Sequence, residues 1–289
     1  MPEELQTKST ASLRDLLQGV AGRLEAMSDS PRLDAELLIG LAINMPRSYV
    51  FSNPEDIPDD GAVERLEKNV VRRLAGEPMA YITGRKEFWS LELMVTPATL
   101  VPRPETEVLV ELALREIPRK GVWSILDLGT GSGAIAVAIA SERPLCDIIA
   151  VEQSVDALRV AEQNVRSLDL ANVECLQGDW TTPVRGRVFD LILSNPPYVE
   201  AGHPDLERLA QEPQAAIVSG EDGFDAIRVL ARDCRDVLKD GGAMMIEHGF
   251  DQKDGVATIL AAEGWISIEC HKDFSGLPRV SVARSGEAT

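Results

Sequence analysis

The run Asp190-Leu191-Ile192-Leu193-Ser194 reads as a buried strand, and it stops in Asn195-Pro196-Pro197-Tyr198: an amide, two prolines and a phenol. Asparagine and proline are common breakers after a strand, so a plain turn is one reading. The other is a site, in which two residues of fixed φ without N–H groups hold polar side chains at the end of a strand. A second set lies upstream. The apolar stretch ending in Asp127-Leu128 runs into Gly129-Thr130-Gly131-Ser132-Gly133 and then a helical run of Ala, Ile and Val. Glycines at the carboxyl end of a strand allow close backbone approach to a ligand, and the open edge of a doubly wound sheet is where ligands bind, so a nucleotide-like cofactor is implied. Glu152 ends the next apolar run, about 20 residues past the glycines, where an acidic side chain can accept hydrogen bonds from both ribose hydroxyls. Gly178-Asp179-Trp180 follows the run after that, and an aromatic face there can stack on a flat base. Each feature alone has a bland reading: a lone glycine loop is weak, Glu152 suits a solvated strand end, and Trp180 suits a core. A nicotinamide dehydrogenase would leave Asn195-Pro196-Pro197-Tyr198 unexplained.

The elements that must position these residues follow from periodicity. From residue 122 strands and helices alternate, with strands expected at 122–128, 147–152, 172–176, 189–194, 242–248, 265–270 and 278–283. Helices are expected at 133–142, 154–169, 223–239 and 251–263. Such alternation implies an α/β fold with a mostly parallel seven-stranded sheet and helices on both faces. Residues 9–76 carry apolar positions at intervals of three and four and read as a helical bundle, with Ser30-Pro31 as an N-cap followed by proline at the first helical position. Residues 81–104 alternate and are rich in Gly and Pro, which suggests a β-hairpin linker leading into a helix at 105–115. The expected domains are a helical one at 1–78, the hairpin linker at 79–104 and the catalytic α/β domain at 105–289. The last residues, 285–289, read as a loose tail.

Composition narrows the function. The 289 residues are 44% hydrophobic and 26% charged, as in an ordinary soluble protein. No apolar run approaches the ~20 residues of a membrane helix, and the start lacks the regions of a signal peptide, so a cytoplasmic location is expected with no membrane partner. Net charge is −18, from 47 acidic and 29 basic residues. Duplex binding draws on Lys and Arg, so no stable nucleic-acid binding is expected, and an acidic surface suits a basic protein or ribonucleoprotein partner. The four cysteines, Cys146, Cys175, Cys234 and Cys270, have no metal-ligand spacing and read as buried thiols, so no metal is expected. His203 and His248 read as solvated or structural, and the chain as a monomer.

The ordered set of residues 127–133, Glu152, Gly178-Asp179-Trp180 and Asn195-Pro196-Pro197-Tyr198 resembles the motifs of class I S-adenosylmethionine-dependent methyltransferases. The last tetrapeptide resembles the subset that methylates planar amide or amino nitrogens. An amide nitrogen is a poor nucleophile, because its lone pair is delocalised into the carbonyl. If the Asn195 side-chain oxygen and the Pro196 carbonyl accept the two N–H bonds of a substrate amide, they fix its plane and push density onto nitrogen. Tyr198 can stack its ring on that amide. The product nitrogen loses a proton readily, so no strong general base is required.

Over nearly the whole chain the sequence is similar to the HemK/PrmC family, the N5-glutamine methyltransferases of peptide chain release factors. The matching stretches are S-P-R-L-D-A-E-L-L-I-G from Ser30, Y-I-T-G-R-K-E-F-W-S-L-E-L from Tyr81, V-P-R-P-E-T-E-V-L-V-E from Val101, D-L-G-T-G-S-G from Asp127, S-N-P-P-Y from Ser194, G-E-D-G-F-D-A-I-R from Gly220 and D-F-S-G-L-P-R-V from Asp273. The resemblance implies that Gly129, Thr130, Gly131, Ser132, Gly133, Glu152, Trp180 and Asn195 hold S-adenosylmethionine. It implies that Asn195, Pro196, Pro197 and Tyr198 hold the glutamine, with Asn195, Pro196 and Tyr198 acting in catalysis. The implied partner is the release factor's Gly-Gly-Gln loop, with the helical domain helping to dock it. Glu152 stands where family members often have Asp. Pro102-Arg103-Pro104-Glu105 has two readings, as a segment at the active-site mouth or as a rigid linker. Rival functions are glutamine methylation of a large-subunit ribosomal protein and, against the charge balance, N6 methylation of DNA adenine.

Overall fold

Ser12 and Asp15 close a reciprocal cap, each side chain accepting the other's backbone N–H at 3.1 to 3.2 Å, and so start the first helix. The computed structural model describes residues 11–286 and divides into two units at Gly84. The described part of the first unit is helical: α1 (Leu13–Leu24), α2 (Pro31–Ile43), α3 (Arg47–Ser52), α4 (Asp60–Leu74) and α5 (Met79–Thr83). Leu13, Val20, Leu24, Leu38, Ile39, Leu66 and Val70 form its core, as the three-and-four spacing required. Two acidic residues of α2 are buried and paired. Asp34 accepts from Arg73 of α4 at 2.9 Å, and Glu36 pairs with Arg32 and Arg47. Pro31 does open α2, but Ser30 makes no side-chain cap; its own N–H is taken by Ser28, whose hydroxyl donates to Asp34. Residues 9 and 10, expected to be helical, lie outside the described residues, as do 287–289 of the expected tail.

The unit boundary falls later than residue 78, because Met79–Thr83 coils into α5 and ends at Gly84 in the left-handed region (φ 73°). The hairpin is accordingly shorter than 79–104. It consists of β1 (Arg85–Phe88) and β2 (Leu91–Met94), joined by Trp89 and Ser90, both at positive φ. That turn matches strand twist but disfavours side chains. Glu107 compensates by accepting the Trp89 N–H at 2.9 Å, and Glu142 accepts the indole N–H at 3.1 Å.

A 3-10 turn at Pro104–Thr106 leads into α6 (Glu107–Glu116), and the α/β alternation follows: β3 (Ser124–Leu128), α7 (Ala134–Glu142), β4 (Asp147–Glu152), α8 (Val155–Ser167), β5 (Val173–Gln177), β6 (Phe189–Ser194), α9 (Asp225–Asp233), β7 (Leu238–Glu247), α10 (Lys253–Ala262), β8 (Ile266–Lys272) and β9 (Pro278–Arg284). The seven strands lie in the order β5-β4-β3-β6-β7-β9-β8, with β9 antiparallel to both neighbours and the other strands parallel. The central strands are apolar on both faces because helices cover both. α7 is buried from Ala134 to Ala140, which explains an Ala- and Ile-rich helix without a polar side.

The helix expected at 223–239 ends early. Cys234–Val237 tightens to 3-10 and β7 begins at Leu238, not 242, with a register shift opposite Phe189 and Leu191 that absorbs Asp240-Gly241-Gly242. Cys146 and Cys234 are buried as expected, whereas Cys175 and Cys270 are only half-buried, since β5 and β8 are the sheet edges.

Asn164 of α8 joins the hairpin to the glycine loop. Its amide donates to the carbonyls of Met94 (3.0 Å) and Ser132 (2.8 Å), and its oxygen accepts the Met94 N–H at 2.7 Å. Asn164→Ala leaves these backbone groups without partners in a site that is 1% exposed, and is expected to cost about 3 kcal/mol in urea unfolding. A loss below about 1 kcal/mol would show that the hairpin relaxes to find other partners.

Candidate active site

In the sheet order the chain runs one way from β3 to β4 and β5 and the other way to β6 and β7, so the loops after β3 and β6 part at the carboxyl edge. Here lies a cleft of about 300 Å³, within the size range of small-molecule sites. Gly129, Thr130, Gly131, Ser132, Glu152, Gly178, Asp179, Trp180 and Asn195 line it. Gly133 stands behind, at the start of α7.

The loop 129–133 has its shape from its glycines: φ is 71° at Gly129, 59° at Gly131 and 84° at Gly133. A Cβ on Gly129 would come within 3.5 Å of the Trp180 ring, whereas one on Gly131 would meet nothing within 4 Å, so open space faces the backbone there. The N–H groups of Gly129 and Thr130 donate to Val151 O at 2.9 and 3.0 Å, and Ser194 Oγ donates to Leu128 O at 2.8 Å, locking together the ends of three strands. Trp180 holds a positive φ of 46°, strained for a bulky residue, with its ring against the core face that carries Val184 and Leu128.

Glu152 projects from the end of β4 into the cleft. Its two oxygens accept the N–H groups of Gly131 and Ser154, both at 2.9 Å, so the side chain also tethers the glycine loop. A carboxylate has about four lone-pair sites, so acceptor capacity is left for a ligand. Asp127 lies beneath the loop, fully buried. Thr130 donates to its Oδ2, while Oδ1 has no side-chain partner among the described residues. Burial pushes this carboxyl up to about 7 against the opposing Thr130 hydroxyl bond, and the nearby Glu152 charge raises it further.

Asn195 and Pro197 line the cleft; Pro196 is buried and Tyr198 lies outside the lining. The Asn195 amide nitrogen donates to Thr106 Oγ1 at 3.1 Å, which leaves its oxygen as the free end of the group. The Tyr198 ring packs against the core, and its carbonyl accepts Gln252 Nε2 at 2.9 Å. Burial keeps the phenol protonated. Pro102 and Arg103 line the cleft, and Glu212 anchors them by accepting the Val101 N–H at 3.0 Å and pairing with Arg103. The Pro102-Arg103-Pro104-Glu105 segment therefore stands at the mouth. His248 is buried, its ring nitrogens 2.9 Å from Ser281 Oγ and 2.8 Å from Gly249 O, with its pKa lowered by burial; His203 lies on an exposed turn, so neither faces the cleft.

Sequence reasoning passed over Thr106, Glu212 and Glu247. Glu247 carried the same signal as Glu152, a carboxylate ending an apolar run (Ala243-Met244-Met245-Ile246-Glu247). Thr106 and Glu212 carried none, being ordinary polar residues in loops.

The cleft offers what S-adenosylmethionine requires: a side-chain-free loop with open space at Gly131, a carboxylate with spare lone pairs, an aromatic ring and apolar walls from Leu100, Ile135, Val151 and Ala157. Fold and site together define an S-adenosylmethionine-dependent methyltransferase of class I. The sheet is shared with a methyltransferase structure from Pyrococcus furiosus, at 20% identity and a TM-score of 0.53 over 76% of this chain and 99% of that one. Residues 15–84 match the PrmC N-terminal domain and residues 105–212 the methyltransferase small domain. A release factor glutamine methyltransferase of Coxiella burnetii is 41% identical over 95% of this chain and 99% of its own. One of Salmonella typhimurium is 42% identical over 89% and 93%. The chain belongs to the release factor glutamine methyltransferase family.

Because Glu152 both faces the cleft and tethers Gly131, Glu152→Ala is expected to weaken S-adenosylmethionine binding roughly 10- to 150-fold in calorimetry, the loss of about 1.5–3 kcal/mol for a charge-assisted bond. Unchanged affinity would remove Glu152 from the cofactor site.

Proposed function

We propose that this enzyme transfers a methyl group from S-adenosylmethionine to N5, the side-chain amide nitrogen, of the glutamine in the Gly-Gly-Gln motif of peptide chain release factors. The single observation that carries this reading is the orientation of Asn195. Its N–H is taken up by Thr106, so it presents an oxygen, an acceptor suited to a substrate NH2 group. The Glu152 carboxylate is assigned the ribose hydroxyls, Trp180 the adenine ring, and the Gly129, Thr130, Gly131 and Ser132 backbone, with Gly133 fixing the start of α7, the amino-acid portion. When bound, S-adenosylmethionine supplies a methyl carbon made electrophilic by the adjacent positive sulfur.

The chain's own residues aim the nucleophile. Asn195 Oδ1 and the Pro196 carbonyl accept the two amide N–H bonds of the glutamine, hold the nitrogen in one plane and stabilise the positive charge that grows on it. Pro196 and Pro197 have no N–H with which to compete for those acceptors, and their fixed φ holds the array still. The Tyr198 ring, held through its carbonyl by Gln252, is assigned the face on which the flat amide stacks. The nitrogen is strongly acidic once methylated, so its proton leaves without a dedicated base. The partner is the release factor, with the helical unit in a docking role; the enzyme works as a monomer in the cytoplasm, without stable nucleic-acid binding. Among the described residues no helix is long and apolar enough to cross a membrane.

A labelled-methyl assay tests the reading on three substrates side by side: a purified release factor, the same factor with its Gly-Gly-Gln glutamine changed to alanine, and unmethylated duplex DNA. Label in the first alone is the expected result; label in DNA alone would overturn the assignment. In the same assay Asn195→Ala is expected to lower single-turnover transfer by about 10²- to 10³-fold, the scale of one lost transition-state hydrogen bond, while S-adenosylmethionine affinity falls far less. Equal large losses in both would make Asn195 chiefly a cofactor residue.

A further inference from the structure

The carboxyl edge that holds the cleft continues past Tyr198 onto two further loops. β7 runs parallel to β6, so its end at Glu247 lies at this edge; β9 is antiparallel, so its start and the end of β8 lie there too. The loop after β7 and the turn between β8 and β9 meet. The His248 N–H donates to Arg279 O at 2.9 Å, and the Arg279 guanidinium donates back to His248 O at 3.3 Å. These two loops expose Phe250 (55%), Phe274 (73%) and Leu277 (43%). Turns are ordinarily built of small and polar residues, yet two of the chain's six phenylalanines stand more than half exposed here. Exposed apolar side chains gathered at one place mark an interaction surface.

Both loops are rigidly built. Asp273 Oδ1 accepts the N–H groups of Ser275 and Leu277 at 2.9 and 3.0 Å, its own N–H donates to Leu277 O at 2.8 Å, and its Oδ2 pairs with Arg279 at 3.2 Å. The backbone is thereby fixed on either side of Phe274 while the ring stays in solvent. Gln252 secures the other loop: its Oε1 accepts the Gly249 N–H at 2.8 Å and its Nε2 donates to Tyr198 O at 2.9 Å. Phe250 is thus carried on a loop tied directly to the Asn-Pro-Pro-Tyr stretch. Gly223 shows how closely the segments meet, since a Cβ there would come within 2.5 Å of Tyr198 O, 2.8 Å of Gln252 Nε2 and 3.3 Å of Glu200 N. An aromatic side chain held on an ordered backbone loses little freedom on binding, the property of an interface anchor.

Size and charge say what covers this surface. A cleft of about 300 Å³ is of small-molecule dimensions, so a protein substrate must be held by the surface around its mouth, and a specific protein interface covers about 800 Å² on each partner. The loop from β6 to α9 leaves the same edge, and residues 199–224 carry six acidic side chains against one arginine, Arg208. Glu200, Glu207 and Glu221 among them are exposed. Carboxylates there repel a phosphate backbone and complement basic side chains.

We propose that Phe250, Phe274 and Leu277 are an anchor site for the protein substrate: an apolar side chain on the release factor's surface, beside its Gly-Gly-Gln loop, seats on them, and basic residues around it face Glu200, Glu207 and Glu221. The inference rests on the reading that the methylated glutamine belongs to a release factor. The anchor sets how tightly the factor is held and takes no part in the transfer itself. Since the Phe250 loop and the Asn-Pro-Pro-Tyr stretch share Gln252, a factor seated on the anchor is also held in register with the residues that receive its glutamine.

The test uses the full-length enzyme and a purified release factor, with the Kd of the factor measured by calorimetry in the presence of S-adenosylhomocysteine and single-turnover transfer measured at saturating factor. Phe274→Ser is expected to weaken binding of the factor about 10-fold, the scale of one interface hot spot, and Phe250→Ala similarly. Transfer at saturation stays within about twofold, as for a contact that contributes to binding alone. Phe274→Leu, which keeps an apolar side chain, restores most of the affinity. The double variant Glu207→Lys with Glu221→Lys weakens binding more at low salt than at high salt, because screening removes the charge contribution. Wild-type Kd in the double variant Phe250→Ala with Phe274→Ser would overturn the proposal, as would a fall in saturated rate with Kd unchanged. A wild-type enzyme that sediments as a dimer, made monomeric by Phe274→Ser, would give the surface to a second copy of the chain and overturn it too. If Phe250→Ala fails to fold, judged by urea unfolding, the Phe274 variants decide: equal Kd for Ser and Leu refutes the anchor. A wild-type enzyme that methylates no release factor would sink the substrate reading itself, a separate outcome.

Discussion

A side-chain amide carries a donor end and an acceptor end of nearly the same shape, and only its surroundings decide which one a substrate meets. In this enzyme Thr106 takes the Asn195 N–H, and the oxygen is left as the other end of the group. Thr106 can do this because the Pro102-Arg103-Pro104 segment is pinned by Glu212, through the Val101 N–H and the Arg103 guanidinium, from the loop that follows the Asn-Pro-Pro-Tyr stretch. The two loops hold each other, and the first has a restricted backbone at Pro102 and Pro104. A site that must direct a weak nucleophile gains from such rigidity, since a shift of about 1 Å in a positioning group can cost two orders of magnitude in rate.

The cofactor half is organised by the same economy of acceptors. Glu152 accepts from Gly131 and Ser154 while facing the cleft, and Asn164 satisfies the Ser132 carbonyl while holding the hairpin. The glycine loop is thereby fastened at both ends to elements that have other reasons to be rigid. Burial raises two carboxyls to about 7, Asp127 under the loop and Glu247 behind Asn195, one in each half of the site. Raised acids of this kind cluster where function has outweighed stability.

Much of the architecture was legible along the chain. The strand at Asp147–Glu152 and the one at Phe189–Ser194 fell where the apolar runs ended, because parallel strands covered on both faces need unbroken apolar sequence. The misplacements have local causes. Asp240-Gly241-Gly242 looked like a break before β7, yet the sheet absorbs it as an irregularity, and Met79–Thr83 alternates like a strand but coils because Pro78 and Gly84 bound a single helical turn. Ser30 had the residue type of a cap but not its hydrogen bond, since its backbone answers instead to Ser28.

By itself the sequence determined the sheet, the glycine loop, Glu152 and the Asn-Pro-Pro-Tyr stretch, and with them the class of reaction, because these depend on local pattern and on spacing within one βαβ unit or the next. What only the tertiary structure decided is which groups complete them. Thr106 and Asn195 lie 89 positions apart, and Arg103 and Glu212 are 109 apart. Neither pair leaves any periodic trace, since a single hydrogen bond between loops constrains two residues and nothing between them. Tyr198 likewise read as a ring to stack on the substrate amide, and the fold packs it against the core with its carbonyl held by Gln252. Side-chain direction at a strand end is set by what the neighbouring strand presents, and that is a property of the assembled sheet.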